Sequence, residues 1–223
     1  MALFGKKGFN SDIDLVVEGD WAGCISYLEY LGAKLNKFGG YRLMISGQPI
    51  DIWNARETWA IKNGLVNYKG IESLTETTVL NWDAILMNWR TKNFIYRKNY
   101  LEQLRERVLD IVLESNPNPK GMAVRVFRHL CLKDAKKITP RAVKYLEQCT
   151  IRYTFNELAE SEYRSFGNTV IECAAYRVFK GLNKNNSLPI HEKLEAASEL
   201  VKREGLTLSS LQTECDFNNQ INC

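Results

Sequence analysis

Apolar residues run from Ile13 to Val17, and carboxylates stand before and inside that run at Asp12 and Asp14. Side chains alternate across a strand, so the spacing predicts a strand with both acids on one face. The run Leu15-Val16-Val17 makes it a buried strand. Helical spacing follows: Trp21, Cys24, Ile25, Leu28 and Leu31, with Gly19-Asp20 as a start and Gly32 as a stop. Residues 33–38 and 41–46 flank Gly39-Gly40, a hairpin signal, and Gly47-Gln48 turns the chain into a strand around Ile50-Asp51-Ile52. Residues 55–63 and 72–89 read as helices, and after Arg90 the strand signals largely stop.

Further along, Leu101, Leu104, Val108, Ile111 and Val112 predict a helix over 100–115, and Asn116-Pro117-Asn118-Pro119 breaks the chain. A helix over 121–132 mixes apolar and basic residues. Thr139-Pro140 reads as an N-cap with proline at the first helical position, and Thr154 to Glu157 as a capping box. Helices near 168–180 and 189–204 end at Gly181 and Gly205, and the polar stretch over 205–223 is expected to fray. The whole reads as α+β: a small mixed sheet with helix cover over residues 1–98, then an all-helical domain over 99–223.

The 45% hydrophobic content of the 223 residues is enough for a full core. No apolar run approaches a membrane span, and the N-terminus lacks a signal-peptide pattern. The net charge of +4 is spread evenly, which permits nucleic acid as a partner without announcing it. Six cysteines form no C-x-x-C pair and only His129 and His191 accompany them, which speaks against structural zinc. Several lie in apolar helical stretches and read as reduced core thiols of a cytoplasmic protein.

Chemistry gathers at the acids. Asp12 and Asp14 on one face, joined by Asp51 from a neighbouring strand, would seat a hard divalent cation, Mg²⁺ above all. Three such carboxylates suit two-metal phosphoryl transfer. Solvated acids at a strand edge are the plainer reading of an isolated D-x-D. Arg125 and Arg128, three apart on a helix, are either solvated positions or contacts for nucleotide or RNA. Trp53, Trp59, Trp82 and Trp89 either stack on bases or pack internally. Asp83 is a cap or a substrate contact, and His129 reads as a structural histidine. Tyr96-Arg97-Lys98-Asn99-Tyr100 interleaves aromatic and basic residues, a faint RNA-contact signal.

Asn10-Ser11-Asp12-Ile13-Asp14-Leu15, followed by a helix, a hairpin and Ile50-Asp51-Ile52, resembles the nucleotidyltransferase domain of the DNA polymerase beta superfamily. The likeness extends to the branch of bacterial poly(A) polymerases and class II tRNA CCA-adding enzymes. Ala2-Leu3-Phe4-Gly5-Lys6-Lys7 resembles the end of that branch's leading helix. Leu80-Asn81-Trp82-Asp83-Ala84-Ile85 resembles its F-T-I-N-A-L segment, and Ala123-Val124-Arg125-Val126-Phe127-Arg128 its A-L-R-x-x-R helix.

The resemblance implies a head that binds NTP with Mg²⁺ or Mn²⁺, a helical neck, and transfer of NMP to an RNA 3′ end such as that of tRNA. Asp12 and Asp14 would ligate both metals. Asp51 would ligate the catalytic metal and help activate the hydroxyl. Lys6, Arg125 and Arg128 would contact the nucleotide. The chain departs from the pattern at three places. The glycine pair that cradles the triphosphate has no counterpart. Thr77-Thr78-Val79 stands where paired arginines and an aspartate are expected, and Gly121-Met122 where an acidic pair is expected. CCA addition as such is therefore not the expected reaction. A shortened N-terminus, or another segment or chain covering the edge of the Asp12 strand, is expected. Two alternatives stand beside an RNA acceptor: transfer to a protein or small molecule, and an inactive relative that binds RNA or protein.

Overall fold

The computed structural model describes residues 12–132, 135–182, 192 and 207–208, and the chain divides into two units, Met1–Thr77 and Thr78–Cys223. The first unit contains β1 (Ile13–Val17), α1 (Trp21–Tyr30), β2 (Lys34–Leu35), β3 (Tyr41–Ile45), β4 (Gln48–Asn54) and the short α2 (Trp59–Lys62). Its sheet runs β1-β4-β3-β2, with β1 parallel to β4 and the other pairs antiparallel. A parallel pair needs a crossover, and α1 with the β2–β3 hairpin supplies it.

Local signals set each of these elements. Asp20 caps α1 by accepting from the Gly23 N–H at 3.0 Å. Gly32, at φ 75°, closes the helix with its N–H on the Glu29 carbonyl. Gly40 allows close approach: a Cβ there would stand 2.9 Å from the Ile52 carbonyl oxygen. One face of the sheet packs on α1, where Leu28, Tyr41 and Ile52 are buried with Val17, Trp21, Ile25 and Ile50 against them. The strand around Asp12 and Asp14 is not buried as its sequence suggested. Among the described residues it pairs with β4 alone, at the sheet edge, and Leu15 stays 40% exposed.

The second unit contains β5 (Ile85–Met87), β6 (Phe94–Tyr96), α3 (Tyr100–Arg105), β7 (Val108–Leu109), α4 (Pro119–Leu132), β8 (Lys137–Ile138), α5 (Pro140–Arg152), α6 (Phe155–Phe166), α7 (Cys173–Leu182) and β9 (Thr207–Leu208). The four longer helices enclose a core that includes Leu109, Ile111, Val124, Phe127, Ile138, Leu146, Leu158 and Phe179. Thr139 caps α5 and Thr154 forms the expected capping box with Glu157. The architecture is α+β, with a helical C-terminal part that also carries a short parallel β7-β8-β9 sheet. No helix among the described residues is long and apolar enough to cross a membrane.

Several helical expectations fail for identifiable reasons. Residues 55–63 form a 3-10 turn and the four-residue α2, and 72–89 form two 3-10 turns and β5. Asn81 is buried and its Nδ2 donates to the Val108 carbonyl at 2.9 Å, while its Oδ1 accepts from the Asp110 N–H at 3.0 Å. That side chain pairs with a distant backbone, which pulls the segment out of helical geometry. The helix expected over 100–115 stops at Arg105, because Arg107 turns to φ 56° and Val108-Leu109 becomes a strand. The helix near 168–180 starts at Cys173 and continues through Gly181. Apart from residue 192, the helix expected over 189–204 falls outside the described residues, as does nearly all of the tail, though Thr207–Leu208 pairs with β8 instead of fraying. Cys24, Cys131, Cys149 and Cys173 are free thiols, and burial pushes Cys149 up to about 12.

Asp110 ties these pieces together. Its Oδ1 accepts from the Thr139 hydroxyl at 2.5 Å and the Ile111 N–H at 2.9 Å, joining β7 to the cap of α5. Burial pushes its carboxyl above the ordinary carboxylate value, partly offset by those two donors. The folded state therefore holds this proton more tightly than the unfolded chain. The contribution is fully present below the unfolded value and is lost as pH rises through the raised folded one. Asp110→Asn keeps the accepting oxygen and cannot titrate. In urea unfolding, the stability of the parent relative to Asp110→Asn should fall as pH rises from below about 4. Asp110→Ala should cost about 1–3 kcal/mol through its orphaned partners.

Candidate active site

Strand register brings the three predicted carboxylates to one side of the sheet. Asp14 lies opposite Asp51 across the parallel β1–β4 pair, and Asp12 is two residues before Asp14. Partners in register share a face, as do residues two apart on a strand. The acids therefore occupy the face opposite the one that α1 covers. Asp51 is more enclosed than Asp12, with its side chain 16% exposed against 49%.

Arg42 joins them from β3, where it lies opposite Asp51. Its Nε donates to Asp51 Oδ1 at 2.8 Å and its Nη2 donates to Asp51 Oδ2. The same Nη2 reaches Asp12 Oδ2 at 3.1 Å. This is a bidentate grip on one carboxylate with a third bond to a second. The hydrogen bonds and charge of Asp51, with smaller contributions from Asp12 and Asp14, push the Arg42 guanidinium further above its ordinary value. Sequence reasoning missed Arg42, although a signal existed. Ser46 and Gly47, both at positive φ, make a two-residue turn, and counting outward from it places Arg42 against Asp51.

The donor chemistry of the three acids fits a hard divalent ion, and their common face fits a shared one. Among the described residues no group of three His, Cys, Asp or Glu side chains stands ready to hold a metal, and the Arg42 guanidinium bridges Asp12 and Asp51. Arg42 supplies the positive charge that such an ion would bring.

The other predicted contacts separate. Lys6 lies outside the described residues. Arg125 and Arg128 lie on α4 but diverge. Arg125 is half exposed and pairs with Asp83 at 3.0 Å, so Asp83 meets an arginine rather than capping a helix. Arg128 is 13% exposed and pairs at 2.5 Å with the fully buried Glu162 of α6. It also donates to Asn168 Oδ1 at 3.1 Å and lies over the Phe166 ring. Glu162 further accepts the Val170 and Ile171 N–H groups, so every oxygen of this buried acid is used. Glu162 is 34 residues from Arg128, and no local pattern announces the pair. Trp82 donates to the Val108 carbonyl and packs on the core, with His129 edge-on at 5.6 Å.

No protein-family model and no curated protein matches the chain. Solved structures do. The Thermotoga maritima CCA-adding enzyme complexed with tRNA matches over 92% of this chain and 59% of its own, at 18% identity and a TM-score of 0.48. A tRNA-processing enzyme with CTP matches over 92% of this chain and 52% of its own, at 15% identity and a TM-score of 0.46. A CCA-adding enzyme in an apo form matches over 79% and 49%, at 20% identity and a TM-score of 0.43. The chain is similar in structure to CCA-adding enzymes, at low sequence identity. It spans between 49% and 59% of the length of these three.

Two measurements probe the geometry. Arg42→Met removes a cation from the acidic face and should tighten Mn²⁺ binding several-fold, read by titrating the ion's EPR signal. Unchanged affinity would mean that the acids do not hold the ion. In urea unfolding, Arg128→Met should cost about 3–5 kcal/mol by stranding a buried carboxylate. Arg125→Ala, which breaks a half-exposed pair, should cost at most about 1 kcal/mol.

Proposed function

We propose that the chain is a metal-dependent nucleotidyltransferase that moves NMP from NTP to an RNA 3′ end. The observation that supports this reading is the placement of Asp12, Asp14 and Asp51 on one sheet face, with Arg42 bonded to two of them. Acids placed so by register repel one another, a nearby cation offsets that repulsion, and phosphoryl transfer is chemistry that uses this arrangement.

In the reaction the acceptor hydroxyl oxygen attacks the α-phosphorus. The bond from that phosphorus to the bridging oxygen breaks, pyrophosphate leaves, and the hydroxyl proton passes to solvent water. A divalent ion held by Asp12, Asp14 and Asp51 would supply Lewis-acid stabilisation of the charge on the reacting phosphate. Asp51, the more enclosed of the two acids that Arg42 grips, orients the acceptor hydroxyl. Asp12 and Asp14, on the outer strand, hold the phosphate side. Arg42 balances the acids until nucleotide and ion arrive. Arg125, half exposed, is offered as a contact for nucleotide, and Arg128 as the residue that anchors its helix. Lys6 is offered as a phosphate contact on sequence grounds alone.

The grip of Arg42 on two of the three acids favours a second reading. There the ion pair is structural and the chain binds RNA or protein without catalysis. A transfer assay separates the two. Each labelled NTP is offered singly with Mg²⁺ or Mn²⁺, with mixed tRNA and a short RNA as acceptors. Label should move to RNA in the parent, and Asp51→Asn should lower transfer by at least about 100-fold, a loss typical of removing electrostatic stabilisation. No transfer by the parent under any condition, or transfer retained by Asp51→Asn, would overturn the catalytic reading. Label found on protein would place the acceptor elsewhere.

A further inference from the structure

The β5–β6 hairpin bears a surface that the transfer chemistry does not use. Met87 lies opposite Phe94 and Ile85 opposite Tyr96, so these four share a face. Phe94 is 54% exposed, and Met87 and Tyr96 are each 42% exposed. Trp89, in the turn, is 74% exposed. Three large aromatic side chains thus reach solvent within eight residues of chain.

The turn that presents Trp89 is tightly built. The Asn88 N–H donates to the Asn93 carbonyl at 2.9 Å, and the Lys92 N–H to the Asn88 carbonyl at 2.7 Å. Asn88 Oδ1 accepts the N–H groups of Arg90 and Thr91, each at 3.0 Å. Lys92 adopts φ 62°, a left-handed conformation that disfavours a residue with a Cβ. Its Nζ lies 3.3 Å from the centroid of the Trp89 ring. An aromatic plane and a cation are therefore held together at the tip.

Charge decides what this surface suits. Arg90, Lys92, Arg97 and Lys98 fall between Asp83 and Glu102 with no acid among them. Arg97 and Lys98, just past β6, line a small pocket with Asn81, Tyr100, Gln103 and Asp110. Exposed aromatics, Met and Arg are common to protein interfaces and to nucleic-acid surfaces, but protein interfaces deplete lysine, and Lys92 stands against the Trp89 ring at the tip; aromatics among cations suit a flexible polyanion with exposed bases. We infer that the β5–β6 hairpin is a docking surface for single-stranded RNA, with bases stacking on Trp89 and Phe94 and phosphates meeting the four cations. The choice of RNA rests on the proposed function; the stacking and charge arguments do not.

The test is fluorescence anisotropy of a short labelled oligo(U) over a salt series, with EDTA and without NTP. Binding is then read apart from any transfer. Trp89→Ala should weaken binding by about 5- to 150-fold, the range of one lost base stack. Arg90→Ala/Lys92→Ala should flatten the slope of log affinity against log salt by about 1.4, at about 0.7 per neutralised phosphate. All three residues sit in an exposed turn, so these variants leave the core untouched. Failure of the parent to bind, or variants with the parent's affinity and salt slope, would overturn the inference. So would variants that lose self-association by sedimentation while binding RNA as the parent does, because the face would then belong to a protein. A chain that transfers nucleotide yet shows no effect at the hairpin refutes this inference alone. A chain that binds RNA through the hairpin yet transfers nothing refutes only the catalytic reading.

Discussion

Parallel pairing of β1 with β4 sets Asp14 beside Asp51, and the acidic face follows from that register. A slip of one residue would turn Asp12 and Asp14 toward α1 and bring Ile13 and Leu15 to the acidic side. Burial of Ile52 and Tyr41 with Leu28 of α1 holds the register from the opposite face. Arg42 holds it from the acidic face, because its guanidinium spans Asp12 of the edge strand and Asp51 of its neighbour. A small apolar core and one arginine thus maintain a concentration of negative charge at a sheet edge. β1 has a single strand partner among the described residues, and Arg42 offsets the repulsion among the carboxylates beside it.

The second unit is organised by buried polar groups within a large apolar core. Asn81 and Asp110 bind backbone and cap groups that would otherwise be orphaned, and Glu162 does the same for the turn after α6. These pairings give geometry more than net stability, because desolvation offsets much of each bond. They also sort the arginines of α4. Arg128 belongs to the interior through Glu162, whereas Arg125 keeps an exposed partner in Asp83 and is open to exchange it.

Much of this was legible in the chain. The D-x-D strand, the capped helix after it, the Gly39-Gly40 hairpin and the Asp51 strand all have short-range signals, and so do the caps at Thr139 and Thr154. The shared face of Asp12 and Asp14 followed from alternation, and that of Asp51 depended on its strand pairing beside theirs. What was not legible depends on partners distant in sequence. Residues 72–89 have helical spacing, but Asn81 spends its side chain on Val108 and Asp110, and β5 finds its partner in β6. The 100–115 helix ends early because Arg107 takes a positive φ that its composition does not foretell. Arg125 and Arg128, three apart, lie on one side of a helical wheel, and what sets them apart most is that α6 brings Glu162 to one and Asp83 meets the other. Arg42 could have been found from the Ser46-Gly47 turn, since a two-residue loop fixes the register of its hairpin.

A crystal structure with Mn²⁺ and a non-hydrolysable NTP analogue bears most directly on the account. An anomalous manganese peak bound by Asp12, Asp14 and Asp51, with the Arg42 guanidinium displaced from Asp51, is the predicted result. Arg42 still clasping Asp51 and Asp12 in the presence of both ligands, with no manganese at the three acids, would contradict it.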